Sequence, residues 1–247
     1  MRIGLLVPSR ERLNLKLTLL SSIIISTDNI DNVNIYLGID DDDPTAPLAH
    51  KMAKAMPFVK IIPIHNGGKF IGINNCWNIL AANCPDDIFG YVGDDMVFRT
   101  EGWDTKILEQ FNEQNLPKDQ IKMVHTWDGF QGERLSVNAF VHRKYYEVMG
   151  YFCKGDFLIN YSDNWMMQMF KAFNRVKYLD SIFIEHNHWV FGRREKDATA
   201  NRMMSNGNEK ASDDMWAKLR PQHHEDIKKL GNYLNMTPDW SKVDPLK

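Results

Sequence analysis

Short apolar segments alternate with segments of helical length through the first 93 residues, and this alternation constrains the fold most strongly. Four apolar segments of strand length occupy residues 2–7, 33–39, 59–64 and 88–93. Three longer segments lie between them, at residues 12–27, 46–56 and 70–83. Strand and helix in regular order imply right-handed crossovers. The pattern therefore predicts an α/β fold with a mostly parallel central sheet flanked by helices.

The segment 12–27 fits two patterns. Its odd-numbered leucines between positions 13 and 19 alternate as in a strand, whereas Leu13, Leu17 and Leu20 repeat at helical spacing. The length of the segment favours the helix.

The second half of the chain is mixed. Helices are predicted at residues 103–114 and 163–173, and strands at residues 121–126, 135–142 and 177–186. After Val190 the sequence turns polar, and a helix is predicted there at residues 209–219.

The composition fits one compact globular protein. A chain of 247 residues with 43% hydrophobic residues can bury one substantial core, and a formal charge of -2 gives no global attraction to nucleic acid. Its three cysteines have no CxxC spacing, which argues against a disulfide framework or a cysteine zinc site. The apolar start is broken by Pro8 and Arg10, and no apolar run reaches membrane-spanning length. We expect a cytoplasmic protein without membrane insertion.

Polar residues follow each of the four predicted strands. In a parallel sheet, ligands bind at the carboxyl ends of the strands. The residues at these ends are Ser9 and Arg10, Asp40 to Asp43, His65 to Lys69, and Asp94 with Asp95. The sequence therefore predicts a binding site at this edge of the sheet.

Asp94 and Asp95 stand where carboxylates can hold a hard divalent cation, which is a usual way to neutralise a diphosphate. Adjacent residues of a strand point to opposite faces, so both reach one ion only if the chain turns there. We predict Asp95 as a metal ligand, with Asp94 in support, toward a ribose hydroxyl. The competing interpretation is a solvated loop start, because the same triplet recurs at residues 213–215 in a predicted surface helix.

His186 and His188 lie two residues apart at the end of the last predicted strand, on one face if the strand continues. Neutral imidazole is a good ligand for manganese or zinc and a poor one for calcium. One histidine, His186 first, would join Asp95 and favour Mn²⁺, with Mg²⁺ as the weaker alternative. Two ordinary polar histidines at a strand end are the competing interpretation.

The loop "HNGGKF" leads into a predicted helix. Its glycines allow the backbone to approach a ligand, and Lys69 with the helix N-terminus favours anions, so Gly68 and Lys69 are candidate phosphate contacts. The spacing is not that of a Walker A loop. A plain turn with a helix cap remains the alternative.

Asp163 begins a predicted helix that faces the expected cleft. A carboxylate there could accept a proton from an acceptor hydroxyl as a general base. Alternatively, Ser162 or Asp163 caps the helix, since both residue types are favoured at that position.

The order of these features resembles the nucleotide-sugar glycosyltransferases of the GT-A fold, closest to the family-two-like type of bacteria and phages, over residues 2–190. The resemblance implies donor contacts by Pro8, Ser9 and Arg10 after the first strand, by Asp40 and Asp41 after the second, and by Asn75 in the following helix. The acidic base of that family is similar to Asp163, and its late histidine is similar to His186, with His188 close behind.

The metal-binding DxD motif of that family would fall on Gly93, Asp94 and Asp95, so its first carboxylate is missing. The metal would then be carried by Asp95 with His186.

The resemblance implies transfer of a sugar from a nucleotide diphosphate donor, first a UDP-sugar, to an acceptor hydroxyl with Mn²⁺ or Mg²⁺. Asp163 as base would give inversion at the anomeric carbon. Residues 1–100 would form the donor-binding half, residues 101–190 the acceptor-side half of the same domain, and residues 191–247 a C-terminal helical segment or lid.

The acceptor is open between a saccharide, a protein, a small metabolite and a hydroxymethylated pyrimidine of DNA, in a bacterial or phage-infected cell. Basic residues that could contact DNA are Arg143, Lys144, Arg193, Arg194 and Lys196. The net acidity argues against DNA. Two other functions compete: a sugar nucleotidyltransferase, whose glycine-rich first loop is absent from "VPSRERLN", and a non-catalytic nucleotide or glycan binding module.

Overall fold

The computed structural model describes residues 1–205 and 207–243. The strands in these residues are β1 (Ile3–Ser9), β2 (Val33–Asp40), β3 (Val59–Ile64), β4 (Ile88–Tyr91), β5 (Met96–Phe98), β6 (Met123–Trp127), β7 (Ala139–His142) and β8 (Val176–His186). They form one sheet in the order β3-β2-β1-β4-β7-β6-β8-β5. Residues from both halves of the chain therefore share a single sheet.

Helices cover both faces of this sheet. They are α1 (Leu13–Ser26), α2 (Ala46–Ala55), α3 (Ile73–Ala82), α4 (Trp103–Gln110), α5 (Lys144–Met149), α6 (Ser162–Lys171), α7 (Ala198–Met204) and α8 (Asn208–Leu234). Short 3-10 turns occupy residues 30–32, 132–134, 189–191 and 240–242. The ambiguous leucine segment is thus a helix, and its residues Leu19, Leu20 and Ile23 are buried against the sheet.

The first four strands are parallel, as predicted. β1 lies between β2 and β4, and β3 pairs with the outer edge of β2. Ile3, Leu5 and Val7 belong to the core shared with α1, α2 and α4, whereas Leu6 belongs to the core shared with α3, α5, α6 and α8. Because both faces of β1 are covered, its sequence is a continuous apolar run rather than an alternating one.

The second half of the sheet is mixed. β7 runs antiparallel to both β4 and β6, β8 runs parallel to β6, and β5 runs antiparallel to β8. Four of the seven strand pairings are parallel. The α/β class with a mostly parallel sheet is therefore confirmed.

Three elements had no counterpart in the sequence prediction, namely β5, α5 and α7, and one helix was predicted too short. β5 has three residues, which is too few for a hydrophobic period to appear. α8 continues through Pro221 to Leu234 instead of ending at residue 219. Trp216 and Ile227 on α8 pack in the core beside Trp165 of α6, so tertiary packing sustains the helix past the proline.

No helix in residues 1–205 or 207–243 combines the length and the apolar character that spanning a membrane requires.

Candidate active site

A cleft of about 460 Å³ opens at the carboxyl ends of β1, β2 and β4, beside the end of β8. Its wall brings together predicted site residues that are far apart in sequence: Pro8, Ser9, Arg10, Asp40, Asp94, Asp95, Asp163, His186 and His188. Four further predicted residues, Asp41, Gly68, Lys69 and Asn75, lie outside this lining. The predicted edge of the sheet is therefore where the cleft is found.

The chain turns at Asp94 and Asp95 between β4 and β5, and both residues line the cleft. This turn meets the condition under which adjacent carboxylates can serve one site. Gly93 makes room for it, because a Cβ at that position would lie 2.7 Å from Asp95 Oδ1. Any side chain at position 93 would press on the Asp95 carboxylate, so a glycine at the first DxD position fits the local geometry.

Asp95, His186 and His188 form a group that could bind a metal ion. β5 pairs with β8 so that Met96 lies opposite His186, which brings Asp95 Oδ1 to 3.4 Å from His186 Nε2. One ligand atom from each of the three residues lies within 4.8 Å of the others. One carboxylate with two imidazoles suits Mn²⁺, Fe²⁺ or Zn²⁺ better than Mg²⁺. The residues therefore fit a divalent transition-metal ion.

Burial and neighbouring charges set the protonation of this group. Burial lowers the pKa of His188 to about 4, so its imidazole is neutral at pH 7 and can bind a metal. Burial raises the pKa of Asp94. Burial acts in the same direction on Asp95, but the hydrogen bond from His186 and the charges of two arginines outweigh it and lower the pKa. The Asp95 carboxylate is accordingly held in its anionic form, which can serve as a ligand.

An ion-pair chain surrounds the acidic pair. Arg12 Nη1 donates to Asp94 Oδ1 at 2.7 Å, and its Nε donates to Asp197 Oδ2 at 2.8 Å. Arg194 Nη1 donates to Asp197 Oδ2 at 2.9 Å, and its Nη2 donates to Asp95 Oδ2 at 3.1 Å. The order is thus Asp94, Arg12, Asp197, Arg194, Asp95.

Sequence reasoning missed Arg12 and Asp197. Asp197 is the N-cap of α7, where its Oδ1 accepts a hydrogen bond from Ala200 N at 2.7 Å. An aspartate before a short polar segment is an N-cap signal and could have indicated this helix. Nothing in the sequence indicated that Arg12 would reach Asp197, because the contact spans 185 positions.

Asp40 and Asp41 separate in the structure. Asp40 lines the cleft and accepts hydrogen bonds from Arg10 Nη1 at 3.1 Å and Arg202 Nη1 at 3.4 Å. Asp41 is exposed and contacts His65 Nδ1 at 2.9 Å and Asn66 N at 3.1 Å. Of the two, Asp40 is the one available to a ligand in the cleft.

The remaining donor-side candidates hold neighbouring backbone. The carbonyl oxygen of Gly68 accepts a hydrogen bond from Arg202 Nη2 at 2.8 Å. Asn75 Nδ2 donates to two backbone carbonyls, and the preceding residue, Asn74, lines the cleft instead. Ligand contacts by Gly68, Lys69 and Asn75 stay predictions.

Asp163 lies in the first turn of α6 and faces the cleft. It is not a conventional helix cap, since its Oδ1 accepts only from the next residue, Asn164 N, at 2.9 Å. Burial raises the pKa of Asp163. Asn160 and Tyr161, directly before the helix, both have positive φ angles (55° and 62°), which is a strained conformation for residues with side chains. The chain thus presents a partly desolvated carboxylate to the cleft from a strained turn.

Residues 187–205, here termed the covering segment, follow β8 and contribute part of the lining of the cleft. Arg194 contacts Asp95, Asp197 contacts Arg12, Arg202 contacts Asp40, and Thr199 Oγ1 donates to Arg10 O at 3.1 Å. The segment thereby contacts the acidic pair and the residues that follow β1 and end β2.

The basic residues considered for DNA contact have partners within the chain. Arg143 and Lys144 pair with Glu147, and Arg193 pairs with Glu185. Lys196 Nζ lies 4.7 Å from the centroid of the Trp189 ring. Arg194 is held in the ion-pair chain described above.

No protein-family profile and no curated protein matches the sequence. The fold does match solved structures, and it is the GT-A fold of nucleotide-sugar glycosyltransferases. The prediction of that fold from the sequence is therefore confirmed. The matches share 9–12% sequence identity with the chain, so they establish the fold alone.

Three solved structures illustrate the similarity. S. aureus TarS 1-349 in complex with UDP matches at a TM-score of 0.59 and 10% identity, over 75% of this chain and 60% of that one. The mannosyltransferase PcManGT from Pyrobaculum calidifontis, in complex with GDP-Man and Mn²⁺, matches at a TM-score of 0.57 and 12% identity, over 89% of this chain and 75% of that one. GalNAc-T7 with UDP, GalNAc and Mn²⁺ matches at a TM-score of 0.58 and 9% identity, over 75% of this chain and 43% of that one. The chain thus spans about 60% of the TarS fragment.

Proposed function

We propose that the chain is a metal-dependent glycosyltransferase that moves a sugar from a nucleotide diphosphate donor, first a UDP-sugar, to an acceptor hydroxyl. One observation carries the proposal: the group Asp95, His186 and His188 shares a cleft with the carboxylate of Asp163, at the ligand-binding edge of a GT-A sheet. Within residues 1–205 and 207–243, that carboxylate forms no salt bridge. The complexes of similar folds with UDP, GDP-Man and Mn²⁺ support the same donor chemistry.

The donor would lie along the strand ends. Arg10, Asp40 and Arg202 form the end of the cleft suited to the nucleotide, since their charges and hydrogen-bonding groups can recognise a base or ribose. Asp95, His186 and His188 would hold the metal ion, which supplies Lewis-acid stabilisation of the departing diphosphate. Stabilisation of this leaving group matters most in the transition state, where its negative charge develops.

Asp163 would act as the base. Its carboxylate takes the proton of the acceptor hydroxyl while the hydroxyl oxygen forms a bond to the anomeric carbon. The bond from that carbon to the diphosphate oxygen breaks, and its electron pair leaves with the nucleotide diphosphate. Attack from the face opposite the leaving group inverts the anomeric configuration. The raised pKa of Asp163 supports this role, because a more basic carboxylate accepts a proton more readily.

We propose a saccharide as the first acceptor to test. The internal partners of Arg143, Lys144 and Arg193 and the net charge of -2 offer little attraction to a DNA backbone. A hydroxymethylated DNA pyrimidine is the second acceptor class to test.

The test is Mn²⁺-dependent stabilisation by a panel of nucleotide sugars, followed by mass spectrometry of saccharides and modified DNA as acceptors. Asp95→Asn should abolish Mn²⁺-dependent transfer and donor hydrolysis. The matched control is Asp214→Asn, because Asp213 and Asp214 repeat the acidic pair as exposed residues of α8. Full turnover by Asp95→Asn would contradict the metal site. Donor binding without turnover would favour a binding module, and release of diphosphate from a nucleoside triphosphate would favour a nucleotidyltransferase.

A further inference from the structure

Arg194 and the candidate metal group lie on the two oxygens of one buried carboxylate, that of Asp95. Its Nη2 donates to Asp95 Oδ2 at 3.1 Å, while Asp95 Oδ1 faces His186 Nε2 at 3.4 Å. Both side chains are largely buried, at 12% and 8% exposure. A guanidinium thus shares the same carboxylate as the candidate ligand group.

The position of Arg194 depends on more than this one contact. Its Nε donates to the carbonyl oxygen of Asn187 at 2.9 Å, and its Nη1 donates to Asp197 at 2.9 Å. Asp197 and Asn187 both belong to the covering segment. The arginine therefore ties this segment to the acidic pair.

The charges of the chain nearly balance without a metal ion. Three carboxylates, Asp94, Asp95 and Asp197, face two guanidiniums, Arg12 and Arg194. A dication on Asp95 would place two more positive charges within a few ångströms of Arg194, in a buried site where repulsion is weakly screened. A bound diphosphate would reverse this balance by adding one negative charge on each phosphate.

We propose that Arg194 is an internal cation that a divalent metal displaces from Asp95, and that the displaced guanidinium then binds the diphosphate of the donor. In the absence of nucleotide, the metal ion and Arg194 compete for the Asp95 carboxylate. Once a diphosphate is bound, both can bind its oxygens, and each then favours binding of the other. Guanidinium pairs with phosphate through short charge-assisted hydrogen bonds, which makes this exchange of partners favourable. The second half of the inference rests on the proposed function, while the competition at Asp95 does not.

The exchange has a consequence for the covering segment. Metal binding without nucleotide removes one of the contacts that hold residues 187–205 at the cleft. Donor binding restores a contact through Arg194, so the segment is held firmly when the diphosphate is in place. The partner of Arg194 therefore depends on whether metal and diphosphate are bound.

The test compares Mn²⁺ binding by the full chain, Arg194→Gln and Arg202→Gln, using electron paramagnetic resonance of free Mn²⁺. Arg202 is the matched control, because it ties the same segment to Asp40 and does not contact Asp95. We expect Arg194→Gln to bind Mn²⁺ alone about tenfold more tightly than the wild type, a usual size for coupling between sites. Arg202→Gln should bind Mn²⁺ alone as the wild type does.

A second arm repeats the titration with saturating UDP. Here the sign reverses, and Arg194→Gln should bind Mn²⁺ and UDP about tenfold more weakly than the wild type. Equal or weaker binding of Mn²⁺ alone by Arg194→Gln would overturn the competition, even if UDP still binds and the proposed function stands. UDP binding to none of the three proteins would overturn the proposed function and the phosphate half of the inference. Thermal unfolding of each variant verifies that its fold is retained.

Discussion

Asp43 and Asp163 both stand at the start of a helix at the same edge of the sheet, yet their surroundings are opposite. The Asp43 carboxylate is fully buried and accepts hydrogen bonds from Lys16 Nζ at 3.2 Å, Thr45 N at 2.7 Å and Glu11 N at 3.0 Å. Asp163 accepts one hydrogen bond from Asn164, and no cation among residues 1–205 and 207–243 forms a salt bridge with it.

The pKa values express the same contrast. Burial alone would raise the pKa of Asp43, but its hydrogen bonds and Lys16 overcome this and lower it. Burial also raises the pKa of Asp163, and there the hydrogen bond from Asn164 N lowers the pKa too little to compensate. A satisfied buried carboxylate stabilises the fold, whereas an unsatisfied one at a cleft costs stability and remains available for chemistry. The two aspartates thus differ in their surroundings, which is why we propose a structural role for Asp43 and a functional one for Asp163.

The largest expected effect is the loss of sugar-transfer rate in the variant Asp163→Asn. Removing a general base should reduce transfer by about 100- to 10,000-fold, while UDP binding changes little. The same substitution should raise the free energy of unfolding by about 1 kcal/mol, because it replaces a partly desolvated charge with a neutral amide of the same shape. Initial rates, UDP titration and urea unfolding measure the three quantities.

If Asp163→Asn lost transfer activity, UDP affinity and stability together, Asp163 would have a structural role like that of Asp43, and the proposed contrast would be wrong. Asp163→Glu is the informative companion variant, since it keeps the charge and moves the carboxylate by one methylene.

Asp43→Asn should have the largest effect on stability. Breaking a buried ion pair leaves Lys16 with an uncompensated charge and costs about 3–5 kcal/mol. Urea unfolding of Asp43→Asn, Lys16→Met and the double variant measures this. The double variant should recover much of the loss, because neither charge is then left buried alone. Equal losses in the single and double variants would contradict the pairing.

The pH dependence of stability should have opposite signs at the two aspartates. Asp43 has a lowered pKa, so its stabilisation is present above the pKa of an unfolded aspartate and is lost as the pH falls through its lowered value. Asp163 has a raised pKa, so its cost is absent in acid and appears as the pH rises through its raised value.

Melting temperatures of wild type, Asp43→Asn and Asp163→Asn between pH 3 and pH 8 test this, where unfolded aspartates titrate at about 3.9. The melting temperature of Asp43→Asn should lie below that of the wild type by less in acid than at neutral pH. The melting temperature of Asp163→Asn should exceed that of the wild type at neutral pH and equal it in acid. Differences that do not change with pH would show that neither carboxylate is perturbed.

Strand ends could be predicted from the sequence because a buried parallel strand is a continuous apolar run and its carboxyl end is fixed by topology. Asp95 and His186 are predicted at one site on that basis, and Asp163 from its position at a helix start, although the pairing of β5 with β8 that brings Asp95 to His186 was not foreseen. Contacts of the covering segment could not be predicted, since ion pairs such as Arg12 with Asp197 leave no periodic signal. Local pattern identifies elements, whereas side-chain partners depend on the assembled fold.

Asp42→Asn should have the smallest effect, and it sharpens the comparison within a run of four aspartates. Asp42 is 43% exposed and pairs with Arg10, which also contacts Asp40. An exposed pair contributes about 0–1 kcal/mol, because water screens it and Arg10 retains another partner. Urea unfolding should therefore separate Asp42→Asn from Asp43→Asn although the two positions are adjacent. A loss as large as that of Asp43→Asn would mean that Arg10, rather than burial, determines which aspartate supports the fold.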